Sequence, residues 1–271
     1  MRSFRTLATY GFLGVMAFVS VFPFAWMIIG ATNTSADIIK GRSWPGSALA
    51  ENLSTLVTTN NVPEILYNSF KVAIIGTALT LLVASMAGYG FEVFKSRFKD
   101  RVFGGLLLLM SIPFAALMVP LFVLTGKIGL INTHIGVILP SVAALSLLFI
   151  MFYFRQATIA FPSELRDAAR VDGLKEWQIF AFIYMPVMKS TYAAATIIVF
   201  MAQWNSYLWP LIVLQTNDKK TITLAISSLG TQQLPDYGAL MVATILATLP
   251  TLLIFFVLQR QFVQGMLGAV K

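Results

Sequence analysis

Six long apolar windows constrain this chain more than any other feature: Leu7 to Ala31, Ile65 to Phe91, Val102 to Leu124, Ile135 to Phe154, Thr191 to Leu214 and Gly238 to Leu258. A helix needs about 20 apolar residues to cross the hydrocarbon of a bilayer. Within that layer each backbone polar group must find its partner inside the protein. The windows therefore predict an all-α integral membrane protein with six transmembrane helices, forming one membrane domain over residues 1–271. Composition agrees, since 58% of the residues are hydrophobic and 11% charged, against about 25% charged in an ordinary soluble domain.

Prolines at 23, 113, 120, 210 and 250 interrupt the windows, so kinked helices are expected, their freed carbonyls satisfied by neighbours or water. Ala84 and Gly88 have the small-residue spacing that lets two backbones approach closely. The amino end superficially resembles a secretory signal, with Arg2 and Arg5 ahead of apolar sequence. A signal core runs only about 7 to 15 residues, and the first window is longer, which predicts a retained helix.

Lysine and arginine near helix ends are kept in the cytoplasm. On one side lie Arg2, Arg5, Lys95, Arg97, Lys99, Arg101, Arg155, Arg166, Arg170, Lys175, Lys189, Arg260 and Lys271; on the other lie only Lys40, Arg42, Lys127, Lys219 and Lys220. Lys71 falls within the second window, where its stem can carry the amine toward the interface. The richer side is cytoplasmic, which puts both termini inside. The net charge of +8 is thus accounted for by topology, without a nucleic-acid partner. The chain has no cysteine and one histidine, which excludes disulfides, thiol catalysis and a histidine metal cluster. His134 itself reads as a solvated or capping residue.

The cytoplasmic segment 155–190 is long and patterned. From Phe161 to Lys189 it predicts two short helices joined at a glycine. Ser163 is placed to cap the first helix, Glu164 and Asp167 put negative charge near the positive end of its dipole, and Ala168 and Ala169 present a low surface. Gly173 suits the left-handed conformation that ends a helix, and Pro186 marks the break before the fifth crossing. A small-residue helix with charged flanks fits a protein groove better than a phosphate or lipid, which would ask for basic residues alone.

Asp167-Ala168-Ala169, then Gly173, then Ile183-Tyr184-Met185-Pro186 resembles the EAA signature of ABC importer permeases, with Asp167 in place of the family glutamate and Met185 in place of leucine. The family spacing, Glu-Ala-Ala, three residues, Gly, nine residues, Ile-x-Leu-Pro, is kept. The segments 204–210 (WNSYLWP), 129–133 (GLINT) and 265–271 (GMLGAVK) are similar to the maltose-type, carbohydrate-importing branch of the binding-protein-dependent family.

The resemblance implies a type I importer permease in a bacterial or archaeal cytoplasmic membrane. It further implies a second homologous permease, two ATP-binding cassette subunits and an extracytoplasmic solute-binding protein as partners, with membrane lipid around it and a carbohydrate as cargo. Glu164, Asp167, Ala168, Ala169, Gly173, Ile183 and Pro186 would form the ATPase-docking loop. The chain carries no phosphate-binding loop motif, so no cofactor is expected on it and ATP and Mg would sit on the partner ATPases.

Gln203, Trp204, Asn205, Ser206 and Tyr207, polar for a crossing, face the bundle interior or a wet cavity; hydrogen bonding between helices and sugar contact both account for them. Asn68 starts the second crossing as a cap or a pathway residue. A polyol, glycerol phosphate or modified sugar is the alternative cargo. An intramembrane lipid-modifying enzyme would need acids or histidines gathered at membrane depth, whereas the acidic residues here lie almost entirely in loops.

Overall fold

The computed structural model describes residues 2–147 and 151–268, with side chains described except at 2–5, 8, 151 and 261–268. Residues 148–150 of the fourth window and the last three residues of the tail motif lie outside the described residues. In chain order the α-helices are α1 (Arg2–Ala31), α2 (Ser35–Ile39), α3 (Leu49–Thr59), α4 (Val62–Val93), α5 (Arg97–Leu109), α6 (Phe114–Lys127), α7 (His134–Leu145), α8 (Met151–Thr158), α9 (Ser163–Val171), α10 (Glu176–Ile179), α11 (Met185–Val187), α12 (Lys189–Trp204), α13 (Leu208–Val213), α14 (Ile222–Gly230) and α15 (Tyr237–Gly268). A π-helical turn, Phe180–Tyr184, joins α10 to α11, and a 3₁₀ turn, Asn217–Lys219, precedes α14. The described residues contain no strand, as the sequence predicts.

Among the described residues four stretches are long and apolar enough to cross a membrane: Thr9–Ala31, Val62–Val93, Lys189–Val213 and Tyr237–Arg260. The third window differs from a straight rod, because α5 and α6 meet at a bend of 99°. Pro113 caps α6 and disfavours helix at Ile112 before it, so the break falls where the chain must leave the α region. The fourth window begins as the short apolar helix α7, with Pro140 inside it.

The backbone forms two compact units, residues 1–64 with 224–250 and residues 65–223 with 251–271. In the first, α1 leaves most of its apolar span unburied, with Ala31 at its end buried. Its end is tied down by Asn52 on α3, whose side-chain amide donates to the Ala31 carbonyl at 2.8 Å and the Asn33 carbonyl at 2.9 Å. Asp236 caps α15 by accepting from the Ala239 amide at 3.0 Å.

The second unit is organised around α4. Ala84 is fully buried with Phe154, Ala195 and Val199. One turn on, a β-carbon at Gly88 would stand 2.7 Å from the Arg155 amide nitrogen and 2.8 Å from the Phe154 β-carbon. The paired small residues thus let the backbones of α4 and α8 meet, as dense packing without a hydrophobic drive between helices requires. At the end of α4, Tyr89 joins Phe161, Tyr184 and Met188 in a second buried cluster.

Candidate functional site

Two places in the second unit hold the residues singled out by sequence. The first is the hairpin of α9 and α10. Pro162, not Ser163, occupies the N-cap of α9, and no side chain caps it; its ψ of 122° keeps it outside the helix and Ser163 becomes the first helical residue. The other end is as predicted. Gly173 has φ +82°, its amide reaches the Arg170 carbonyl at 3.0 Å, and the Leu174 amide reaches the Ala169 carbonyl at 3.0 Å. These are the two crossing bonds of a Schellman cap, which needs a left-handed residue at this position.

Along α9, Glu164, Asp167 and Ala168 are exposed while Ala169 is buried. Leu165 and, at 88% exposure, Val171 add apolar surface to the outward side. Ile183 packs against the aromatic cluster around Tyr184, and Pro186 is exposed. The seven loop residues therefore divide into an outward set and a set, Ala169 and Ile183, that holds the hairpin against the rest of the unit.

A polar clasp that sequence reasoning missed closes the hairpin. The Glu176 carboxylate accepts from Arg170 Nε at 2.7 Å, from Arg166 Nη2 at 3.1 Å and from the Tyr89 hydroxyl on α4 at 3.2 Å. Arg166 also lies 5.1 Å over the Phe94 ring. Partial burial opposes the charge on Glu176, yet the hydrogen bonds from Arg166 and Arg170 outweigh it and hold the carboxyl below its ordinary value of 4.5. Beneath the clasp, the Tyr184 hydroxyl meets Thr158 Oγ1 at 2.6 Å, and burial pushes the Tyr184 phenol well above its usual range. The signal for the clasp was the four-residue spacing of Arg166 and Arg170, which stacks them on one helix face.

The second place is the interruption between α12 and α13. Residues 205–207 leave the helix and line a cavity of about 420 Å³. Irregular backbone at membrane depth is tolerated only where protein buries it or a cavity receives it, and here the cavity does. Gln203, Asn205, Ser206 and Tyr207 all reach it, beside Phe114 of α6 and Trp209 of α13. The Gln203 amide is buried with neither its oxygen nor its nitrogen bonded within the chain. Trp209 is fixed by its indole donating to the Gly136 carbonyl at 3.0 Å, and its ring meets Phe114 edge-on.

Trp204 does not line the cavity. It is buried, with ring centroids 4.9 Å from Phe70 and 5.6 Å from Phe200. Asn68 also lies elsewhere: its amide donates to the carbonyls of Asp218 at 2.8 Å and Lys220 at 3.2 Å, and Ser69 Oγ accepts from the Ile222 amide at 2.7 Å. His134, expected to be solvated or to cap, is buried at 9% exposure with Nε2 3.1 Å from the Lys219 carbonyl. Thr133 takes the capping role at α7, accepting from the Gly136 amide.

A broken helix beside a cavity, with a capped hairpin earlier in the chain, is a transporter's arrangement, and sequence comparison agrees. The chain belongs to the family of binding-protein-dependent transport system inner membrane components, whose model matches residues 76–268. The lactose transport system permease protein LacG of Rhizobium radiobacter is 60% identical over 270 residues, covering 100% of this chain and 98% of that protein. The arabinooligosaccharide transport system permease protein AraQ of Bacillus subtilis is 32% identical over 96% of this chain and 94% of its own length. Among solved structures, a bacterial ABC transporter importing the acidic polysaccharide alginate has the same fold, with a TM-score of 0.63 at 17% identity over 97% of this chain and 99% of that one.

Proposed function

We propose that this chain is a transmembrane permease subunit of an ATP-driven, solute-binding-protein-dependent importer of sugars or oligosaccharides. It works by alternating access, with six crossings, both termini in the cytoplasm, and α9 docked in a groove of a separate ATPase subunit that holds ATP and Mg. ATP binding closes the ATPase pair and opens the crossings toward the binding protein; release inside follows hydrolysis. A second, homologous permease completes the membrane pathway.

The observation that carries this reading is the capped α9 hairpin, which keeps Glu164, Asp167 and Ala168 outward on a helix ended by left-handed Gly173. The relatives named for lactose and arabinooligosaccharides support a sugar cargo. The sn-glycerol-3-phosphate permease UgpE of Rhizobium meliloti is also similar, at 28% identity. A neutral cargo is favoured over that anion because the cavity lining contains no lysine or arginine, and Asn205, Ser206 and Tyr207 beside Phe114 and Trp209 suit hydroxyl groups.

The test is uptake of labelled lactose into proteoliposomes holding the full complex with its binding protein. ATP-dependent uptake is expected. No uptake of lactose or any oligosaccharide presented by the cognate binding protein, or labelling of Ala168 from the extracytoplasmic side, would refute the reading.

A further inference from the structure

Beyond docking, the structure assigns to Glu176 a mechanical role: we infer that its carboxylate, shared between Arg166 and Arg170 of α9 and Tyr89 of α4, makes α9 and the end of α4 move as one body. The inference rests on α9 being the helix that the ATPase moves.

The geometry gives the carboxylate three donor side chains from two directions. Arg166 and Arg170 stand one turn apart on α9 and converge on Oε1, at 3.1 Å and 2.7 Å from their Nη2 and Nε. Oε2 accepts the Tyr89 hydroxyl at 3.2 Å and Arg166 Nε at 3.4 Å. Arg166 carries a second connection, its guanidinium lying over Phe94 just past the end of α4. Charge-assisted hydrogen bonds are shorter and stronger than neutral ones, and with side-chain exposures of 15% for Arg166 against 46% for Arg170, the Arg166 contact is the less screened of the two.

What makes this a transmission joint is where α4 leads. From Tyr89 the helix runs back through Gly88, pressed on α8, and Ala84, buried with Ala195 and Val199 of α12. It continues to Gly76, against Gln203 at the cavity. A displacement of α9 held by Glu176 therefore reaches α12 through rigid, tightly packed contacts. Without the carboxylate, α9 would remain tied to α4 by the Arg166 and Phe94 stack and by the intervening chain. Tyr89 would keep its ring contacts with Phe180 and Tyr184, so the cluster itself would stand.

The experiment measures ATP hydrolysis and sugar uptake separately in proteoliposomes containing the complete complex. Glu176→Ala is expected to copurify with the ATPase and hydrolyse ATP, while uptake per ATP falls about fivefold or more, as expected when coupling between two sites is lost. Tyr89→Phe keeps the ring and should shift the same ratio in the same direction, by less. The double variant should be no worse than Glu176→Ala alone, because both act through one contact.

If Glu176→Ala fails to assemble, Tyr89→Phe decides, and an unchanged ratio there overturns the joint. A wild-type complex that couples normally, with both variants coupling equally well, overturns the joint and leaves the importer reading intact. A wild-type chain that associates with no ATPase overturns both.

Discussion

Gly76 of α4 lies directly against the side-chain amide of Gln203 on α12: a β-carbon at 76 would come within 2.7 Å of Nε2 and 2.8 Å of Cδ. The absence of a side chain at 76 is what allows a buried amide to sit between two helices at the edge of the cavity. Gly76→Ala should push the amide aside, at an overpacking cost of about 1–3 kcal/mol. Gly88→Ala should cost more, since its obstacle at 2.7 Å is the Arg155 backbone nitrogen rather than a movable side-chain end. Thermal unfolding of the purified complex in detergent checks the order; equal melting temperatures for the two variants would contradict it.

Gln203→Leu separates fold from function. An unpaired buried polar group costs about 1–3 kcal/mol, and both polar atoms of this amide lack a partner within the chain. The leucine variant should therefore be at least as stable as the native chain while its uptake rate drops. Reduced stability with uptake unaffected would show that the amide serves the helix interface and not the solute.

Gly173→Val forces a β-branched residue into φ +82°. Backbone strain of this kind costs about 1–3 kcal/mol, and relieving it unwinds the cap that ends α9. Copurification of the ATPase and sugar uptake should both fall. Gly173→Asn, whose side chain tolerates the left-handed region, should retain most of both.

Glu176 sets a pH dependence. Its carboxyl lies below its ordinary 4.5, with the arginine hydrogen bonds outweighing burial. An acid held below its unfolded value stabilises the fold above that value, and the contribution is lost as pH falls through the lower folded one. Hydrogen exchange in α9 and α10 should accordingly accelerate as pH drops below 4.5 relative to the rest of the chain, after correction for intrinsic rates. Glu176→Gln should abolish that local pH dependence; an unaltered profile in the variant would assign the effect to another group.

How much was legible beforehand depended on the range of the interaction. The helical class, the approach at Ala84 and Gly88, and the turn at Gly173 all follow from local rules: apolar run length, small-residue spacing and the conformational freedom of glycine. The cap at Ser163 failed on a local competition, because Pro162 took the preceding position. The bend between α5 and α6 was foreshadowed by Pro113, although its 99° angle was not.

The clasp was harder to see, since Tyr89 and Glu176 are 87 residues apart. Asn132 stands within the 129–133 motif, yet it adopts φ 58° and its side-chain Oδ1 accepts from the amides of Gln215 at 3.0 Å and Thr216 at 3.2 Å. Asn68 and His134 reach the same stretch of chain through the carbonyls at 218, 219 and 220. One string of polar residues, 203–207, was split by the fold, with Gln203, Asn205, Ser206 and Tyr207 at the cavity and Trp204 turned into packing.

The sequence by itself determined the solvent this protein requires, its helical class and the position of the α9 turn, because hydropathy and backbone preference act over a few residues at a time. Only the tertiary structure decided which polar side chains reach the cavity and which carboxylate gathers Arg166, Arg170 and Tyr89. Those outcomes depend on how helices distant in sequence rotate against one another, and that rotation is set by close packing at positions such as Gly76 and Gly88.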